Sequence, residues 1–262
     1  MIWGIAALSM WVPAIYALAL DDHDTSRSFF YSGLLGLFVV STIAVAASSR
    51  VPRRGTLGQL AVLLGCFTVM PLFLAIPLHD ALGTTTFLNA YFDMVSAVTT
   101  TGADLFPDPD RLTAPLHLWR ALVGWMGGLL MRIWRADDLG VEPLGGFEVT
   151  ARGEPGGGSA MPMHLAETDP KRRLVIVART LAPVYGGLTL VLWLLLMMTG
   201  AQPLAGLSHA MSVLATSGIS AVGGTEYATS GIGGEMVMFL FMFFALSRLT
   251  FSNDTVTVGS GR

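Results

Sequence analysis

The sequence has few charged residues and a single cysteine, and both shortages exclude classes of protein. Charged residues make up 13% of the 262 residues, whereas about a quarter is normal for a soluble domain. A disordered chain combines high charge with low hydrophobicity, so that class is excluded as well. The lone Cys66 excludes a disulfide scaffold and lies within an apolar stretch, where cysteine behaves as a small core residue.

Long apolar blocks take the place of the missing charge. Hydrophobic residues make up 53% of the chain, and the mean hydropathy is +0.63. Six blocks approach the about 20 apolar residues that cross a bilayer. They are Ile2 to Leu20, Phe29 to Ala47, Leu57 to Leu78, Pro115 to Trp134, Leu174 to Met198 and Ile232 to Thr250. The sequence therefore predicts an all-α polytopic membrane protein.

Basic residues predict its orientation, because the cytoplasmic loops of membrane proteins are enriched in Arg and Lys. The connections after the second and fourth blocks carry nine basic residues between them. The connections on the other side carry only two, Arg27 and Arg111. We therefore expect a cytoplasmic N-terminus.

Two further apolar stretches are too short to span a membrane, and each precedes a small Thr/Ser-Gly turn. They run from Phe87 to Val98 and from Leu204 to Leu214. Apolar stretches of about 10 to 14 residues often form re-entrant or buried helices. Aligning Gly102 with Gly218 also superposes the third and fourth blocks on the fifth and sixth. The pattern predicts two parallel membrane-pore-membrane repeats, each consisting of a helix, a re-entrant half-helix with its turn, and a second helix.

Turns of this kind suit cation coordination. Non-helical backbone at membrane depth is tolerated where it is buried in protein or lines a water-filled cavity. An extended stretch such as Thr99 to Ala103 can direct successive carbonyl oxygens towards an axis, where they replace the hydration shell of a cation. Glycine allows the backbone to enter the left-handed region without a Cβ penalty.

Several groups of residues carry a resemblance that covers nearly the whole chain. They are Phe92 to Ala103, Leu118 to Arg120 with Gly124 to Gly128, Leu144 to Phe147 with Gly153 to Gly156, and Ala215 to Ser220. These groups are similar to motifs of the TrkH/KtrB/HKT superfamily of potassium transporters, most closely its TrkH branch. That branch typically has two leading helices, which the first two blocks match.

The resemblance implies potassium uptake through a filter of backbone carbonyls in a bacterial inner membrane, either passive or as symport with a second cation. Potassium is then the transported substrate, with no cofactor and no enzyme activity. Carried over position by position, the ligand residues are Thr100, Thr101, Gly102, Thr216, Ser217 and Gly218. Potassium and sodium selectivity depend on filter geometry, which the sequence leaves open.

The chain departs from the family in the number of units, because the family has four and this sequence contains two. It is therefore expected to be a fragment, one half of a split transporter, or a protomer that completes the pore as a homodimer. The alternative function is a non-conducting assembly or regulatory membrane subunit. The resemblance also implies a TrkA-like cytosolic nucleotide-binding subunit as a partner, while a net charge of −3 gives no general attraction to nucleic acid.

These observations divide the chain into five parts. They are two N-terminal transmembrane helices (1–54), the first repeat (55–136), a cytoplasmic link (137–173), the second repeat (174–252) and a C-terminal tail (253–262).

Charged residues near the first turn have competing interpretations. Arg120 either pairs with Asp104 or Asp108, or extends its side chain to the lipid headgroups. Asp93 lies within the first half-helix, where it either attracts cations or caps local backbone. Charges from Arg132 onward favour an end of the fourth helix near Met131; the alternative is that they face the cytoplasm or an aqueous partner surface. Gly124 and Gly128 form a GxxxG pair that favours close helix packing.

The five histidines share no metal-ligand spacing. Four of them fall at predicted membrane edges or in loops, and we expect interfacial or solvated histidines. His209 adjoins Ser208, but adjacent residues on a helix point in different directions and no oxyanion motif accompanies them.

Overall fold

The computed structural model describes residues 2–47, 56–103, 105–106, 108–138, 170–225 and 227–246. Regular structure within these ranges is helical, without a β-strand. In chain order the helices are α1 (Ile2–Ser9), α2 (Trp11–Ala19), α3 (His23–Ala47), α4 (Thr56–Leu82), α5 (Phe87–Val98), α6 (Ala114–Asp138), α7 (Pro170–Met198), α8 (Pro203–Ala215) and α9 (Gly231–Leu246). The predicted all-α fold is confirmed.

Four helical stretches of the described chain are long and apolar enough to cross a membrane: Ile2–Ala19, His23–Ala46, Leu63–Leu82 and Val177–Met198. They correspond to the first, second, third and fifth predicted blocks. The first is divided at Met10, because Pro13 has no N–H to donate to the carbonyl of Ser9. The fourth block forms α6, whose 25 residues include several arginines, and the sixth forms the 16-residue α9.

The two short apolar stretches form α5 and α8, with 12 and 13 residues. At about 1.5 Å per residue they are roughly 18 to 20 Å long, too short for a hydrocarbon core of about 30 Å. The hydroxyl of Thr86 accepts a hydrogen bond from the Asn89 N–H and caps α5. Helix α8 instead begins with Pro203 in its first turn, where the missing N–H has no cost.

Helix α6 lies between two cores and joins them. Trp119 and Val123 belong to the core formed with α1 to α5, together with Phe29 and Leu74. Farther along α6, Trp125 and Leu129 pack against the second core, which α7, α8 and α9 build. A single helix therefore positions both half-helices.

The expectation that this helix ends near Met131 is wrong, because α6 continues to Asp138. Arg132 is accommodated by α7 and α9. Its guanidinium lies 5.0 Å from the Tyr185 ring centroid and donates a 3.0 Å hydrogen bond to the carbonyl of Ala245. That carbonyl lies in the last turn of α9, where carbonyl groups lack helical partners and a positive charge is favourable.

Much of the predicted cytoplasmic link lies outside the described residues. Residues 137–138 belong to α6 and residues 170–173 to α7, whereas 139–169 are not described. The predicted tail, 253–262, is outside the described residues as well.

Candidate ion-filter site

Both half-helices end in the same hydrogen-bonding motif. We call residues 99–103 the first turn and residues 215–219 the second turn. After α5, the Thr101 N–H bonds to the Ser96 carbonyl at 2.9 Å and the Thr100 N–H to the Ala97 carbonyl at 3.0 Å. The bonds after α8 lie 116 residues later, from Ser217 to Ser212 at 3.0 Å and from Thr216 to Val213 at 3.2 Å. This is the Schellman arrangement, which satisfies the last carbonyls of a helix and reverses the chain.

The left-handed residue of each motif is a threonine. Thr100 and Thr216 both have φ of 54°, although a β-branched residue rarely adopts positive φ. Two residues later, Gly102 and Gly218 return to positive φ, at 68° and 69°. Sequence reasoning assigned this conformation to glycine alone and expected an extended first turn, so it missed the threonines. Backbone outliers of this kind cost about 1 to 3 kcal/mol and cluster at functional sites.

The two turns meet. A Cβ atom at Gly102 would overlap the carbonyl oxygen of Ser217, and one at Gly218 would lie 3.9 Å from the Cα of Gly102. A cavity of about 240 Å³ lies beside this contact. It is lined by Gly102 and Ala103 on one side, and on the other by residues 218–220 and the glycines at 223 and 224, with Arg120 in its wall.

Three glycines of α6 allow the turns to come this close. A Cβ at Gly127 would overlap the carbonyl of Val98, the last residue of α5. A Cβ at Gly128 would lie 2.8 Å from the Cα of Ala215, and one at Gly124 would lie 3.2 Å from the Ser217 hydroxyl. Gly124 and Gly128 therefore do permit close packing, against the second turn, while Gly127 packs against the end of α5, just before the first turn.

A buried ion pair supports the first turn from behind. The Nε of Arg120 lies 3.2 and 3.0 Å from the two carboxylate oxygens of Asp93, and its Nη2 lies 2.9 Å from Oδ1. The side chains are 6% and 2% exposed. Removing one partner from such a pair leaves an uncompensated buried charge. The pair therefore fixes α6 to α5 close to the first turn.

This pairing corrects the interpretations of both residues. Arg120 is buried, so the prediction that it extends to the headgroups is wrong. Of the partners predicted for it, Asp104 lies outside the described residues, and Asp108 is exposed and accepts a hydrogen bond from the Asp110 N–H. The sequence signal that identifies Asp93 is a lone carboxylate in a buried half-helix, which needs a cation within reach.

The chain that follows the first turn is held by the same arginine. Phe106 is buried, and its ring centroid lies 5.6 Å from the Arg120 guanidinium and 5.4 Å from that of Arg111. Arg111 also donates a 3.0 Å hydrogen bond to the Thr84 carbonyl, just before α5. Inside the turn, the Ser96 hydroxyl accepts a 2.8 Å hydrogen bond from the Ala103 N–H.

The second turn has different support. The His209 ring nitrogen Nε2 lies 2.9 Å from the Ser220 hydroxyl. That hydroxyl also accepts hydrogen bonds from the N–H groups of Val222, at 3.2 Å, and Gly224, at 3.0 Å. His209 lies in α8 and is 3% exposed, so it is not the solvated residue that was expected. Its bond to Ser220 helps to order the loop beside the cavity.

Of the predicted ligand residues, Gly102, Ser217 and Gly218 lie where the two turns meet. Gly102 and Gly218 also line the cavity, whereas Thr100, Thr101, Thr216 and Ser217 are not among its lining residues. Thr101, Thr216 and Gly218 are exposed, Thr100 and Gly102 are half-buried, and Ser217 is buried. In the described part of the chain, no group of three or more His, Cys, Asp or Glu side chains is arranged to hold a metal ion. The oxygen atoms of the two turns themselves belong to backbone carbonyls and to Thr and Ser hydroxyls, which suit hard cations.

The fold and the site together define an all-helical polytopic membrane protein with two half-helix-and-turn units beside one cavity. In a comparison with curated proteins, the chain is similar to TrkH-type potassium uptake proteins, which confirms the resemblance to that branch. The Trk system potassium uptake protein TrkI of Halomonas elongata is 25% identical over 252 residues, covering 92% of this chain and 46% of the relative. The TrkH protein of Escherichia coli K12 is 25% identical over 219 residues, covering 81% of this chain and 42% of the relative.

A solved structure shares the fold. The crystal structure of the potassium transporter TrkH from Vibrio parahaemolyticus matches with a TM-score of 0.71 at 21% identity, over 91% of this chain and 46% of that one. The chain therefore spans about half the length of the proteins it matches. No protein-family model matches it.

Proposed function

We propose that this chain takes part in potassium uptake across a bacterial inner membrane, with the two turns as filter strands. The observation that carries the proposal is the shared backbone of the turns: positive φ at Thr100 and Gly102, and again at Thr216 and Gly218, with the two turns in contact. In an ordinary strand successive carbonyls face opposite sides. A positive φ at every second residue breaks that alternation and allows carbonyls to share one side.

The ligands in this proposal are the carbonyl oxygens of Thr100, Thr101 and Gly102, and of Thr216, Ser217 and Gly218. Each half-helix presents its C-terminal end to its turn, and the negative end of a helix dipole favours a nearby cation. Carbonyl rings select ions through the number and field strength of their dipoles. Two strands form one side of such a ring, so we propose that further strands complete it, from a second copy of this chain or from another polypeptide.

The orientation and the partners are proposals as well. The distribution of arginine supports a cytoplasmic N-terminus, with the link between α6 and α7 on the same side. That link would be the surface for a TrkA-like cytosolic subunit, a partner that the sequence motifs imply. The domain division made above, with repeats over 55–136 and 174–252, is proposed on the matched order of α4 to α6 and α7 to α9.

The proposal is tested by rescue of a potassium-uptake-deficient bacterial strain at low potassium. We expect the chain to restore growth and potassium uptake, and Gly218→Ser to abolish both. The matched control is Gly83→Ser. Gly83 also has positive φ, 61°, and open space around its Cβ position, but it lies between α4 and α5, away from the turns.

Two outcomes would contradict the proposal. Equal uptake by Gly218→Ser and Gly83→Ser would show that the second turn is not a filter. Absence of uptake by the wild-type chain, despite membrane insertion and coexpression with the C-terminal half of a TrkH-type protein, would favour a non-conducting assembly or regulatory subunit.

A further inference from the structure

Arg120 introduces a positive charge into the wall of the cavity between the turns. Arg120 lines the cavity together with Gly102, Ala103 and Gly218, and its side chain is 6% exposed. Water screens a charge at such a site far less than at the surface. Without compensation, the charge would repel a cation approaching either turn.

Asp93 is placed to cancel that charge. Its carboxylate is 2% exposed and accepts three hydrogen bonds from Arg120, at 2.9 to 3.2 Å. The carboxylate belongs to α5 and the guanidinium to α6, so the pair forms only when half-helix and helix are correctly docked. The position 116 residues after Asp93 is His209, which bonds to the Ser220 hydroxyl instead.

We propose that Asp93 and Arg120 are a charge-balancing pair that sets the electrostatic potential of the cavity between the turns, and with it the ease of cation entry. The consequence for cation entry rests on the proposed function, whereas the potential of the cavity does not. A merely structural pair would make both single substitutions harmful in the same way. A charge-balancing pair makes them act in opposite directions on the potential.

The potential is measured with a cysteine in the cavity wall. Ala103→Cys is introduced into a Cys66→Ala chain, which lacks the single native cysteine. The full chain in membranes is then labelled with a cationic and with an anionic methanethiosulfonate reagent, and the ratio of the two rates is recorded. We expect Asp93→Asn to shift the ratio towards the anionic reagent by roughly tenfold, because it makes the net charge beside the cavity more positive by one unit. Arg120→Gln should shift it towards the cationic reagent.

Two further variants complete the test. The double variant Asp93→Asn with Arg120→Gln should return the ratio to within about twofold of the unsubstituted value, since the net charge is restored. Asp93→Glu, which keeps the charge, should leave the ratio unchanged. If Asp93→Asn does not insert, Arg120→Gln and the double variant still decide the question.

The proposal would be overturned if the labelling ratio shifts in the same direction in both single variants, or if it shifts in neither. Potassium uptake by the same variants separates this result from the proposed function. If the labelling ratios are as expected but the chain does not transport potassium, the charge-balancing pair is supported and the proposed transport function is not.

Discussion

The unit built by α4 to α6 and the unit built by α7 to α9 have turns with the same backbone conformation, but different side-chain contacts support those turns. Both half-helices end in the same hydrogen bonds, with left-handed Thr100 and Thr216 at equivalent positions. In the first unit a buried ion pair supports the turn, and in the second a histidine bonds to a serine hydroxyl. The ending of a half-helix is thus set by local backbone bonding, whereas its support depends on the neighbouring helix.

The last helices of the two units, α6 and α9, also differ in what surrounds them. Gly127 of α6 is buried against the carbonyl of Val98. The position 116 residues later on α9 is Phe243, which is 60% exposed. Helix α6 is therefore enclosed by this chain on both sides, whereas α9 presents large apolar side chains outward, where lipid or further protein covers them.

The largest expected effect concerns the buried polar contacts. Asp93→Asn breaks the buried ion pair with Arg120, so we expect a loss of about 3 to 5 kcal/mol in the free energy of unfolding. His209→Leu removes one hydrogen-bond partner from a neutral hydroxyl, and the expected loss is about 1 to 3 kcal/mol. Detergent unfolding of the purified full chain, followed by circular dichroism, measures both losses.

Equal losses in these two variants would contradict the distinction between the units. Asp93→Glu is the control for the first unit, because it keeps the charge and changes only the length of the side chain. His209→Gln is the control for the second, since its amide can still bond to Ser220.

The second comparison concerns packing around α6 and α9, the last helices of the two units. A methyl group at Gly127 would overlap the Val98 carbonyl, so we expect Gly127→Ala to lower the free energy of unfolding by about 1 to 3 kcal/mol. Alanine is otherwise favoured over glycine within a helix, which makes a loss diagnostic of the overlap. Phe243→Ala on the exposed face should change stability by less than about 0.5 kcal/mol in detergent.

Thermal unfolding of the two variants beside the wild-type chain tests this prediction. A gain in stability for Gly127→Ala would mean that α6 has room to move away from the first turn. A large loss for Phe243→Ala would show that the outward face of α9 is already covered by protein in the detergent particle.

The all-α fold and the two half-helices could be predicted from the sequence because they depend on local patterns. Apolar blocks of about 20 residues identify spans, and shorter blocks before a Thr/Ser-Gly turn identify half-helices. That Gly102 and Gly218 share one site was implied only by the resemblance to the TrkH branch. Aligning the two units identified equivalent positions, but the contact between the turns comes from the structure.

The contacts that support the turns were not predictable in the same way. Asp93 and Arg120 lie 27 residues apart on different helices, and only the docking of α5 against α6 selects Asp93 over other carboxylates. The end of α6 was mispredicted because the cost of charge at Arg132 was judged without its partners on α7 and α9. The left-handed Thr100 and Thr216 run against residue preference, and the fold imposes them when each half-helix closes.

The smallest expected effect concerns the beginnings of the half-helices. Thr86 caps α5 through its hydroxyl, whereas Gln202 makes no side-chain cap on α8. We expect Thr86→Ala to lower the free energy of unfolding by about 1 kcal/mol and Gln202→Ala to leave it unchanged within about 0.5 kcal/mol. Hydrogen exchange of the Asn89 N–H is the more sensitive measurement, because that group loses its acceptor. If its protection does not fall in Thr86→Ala, the start of α5 is held by packing alone, and neither half-helix depends on a side-chain cap.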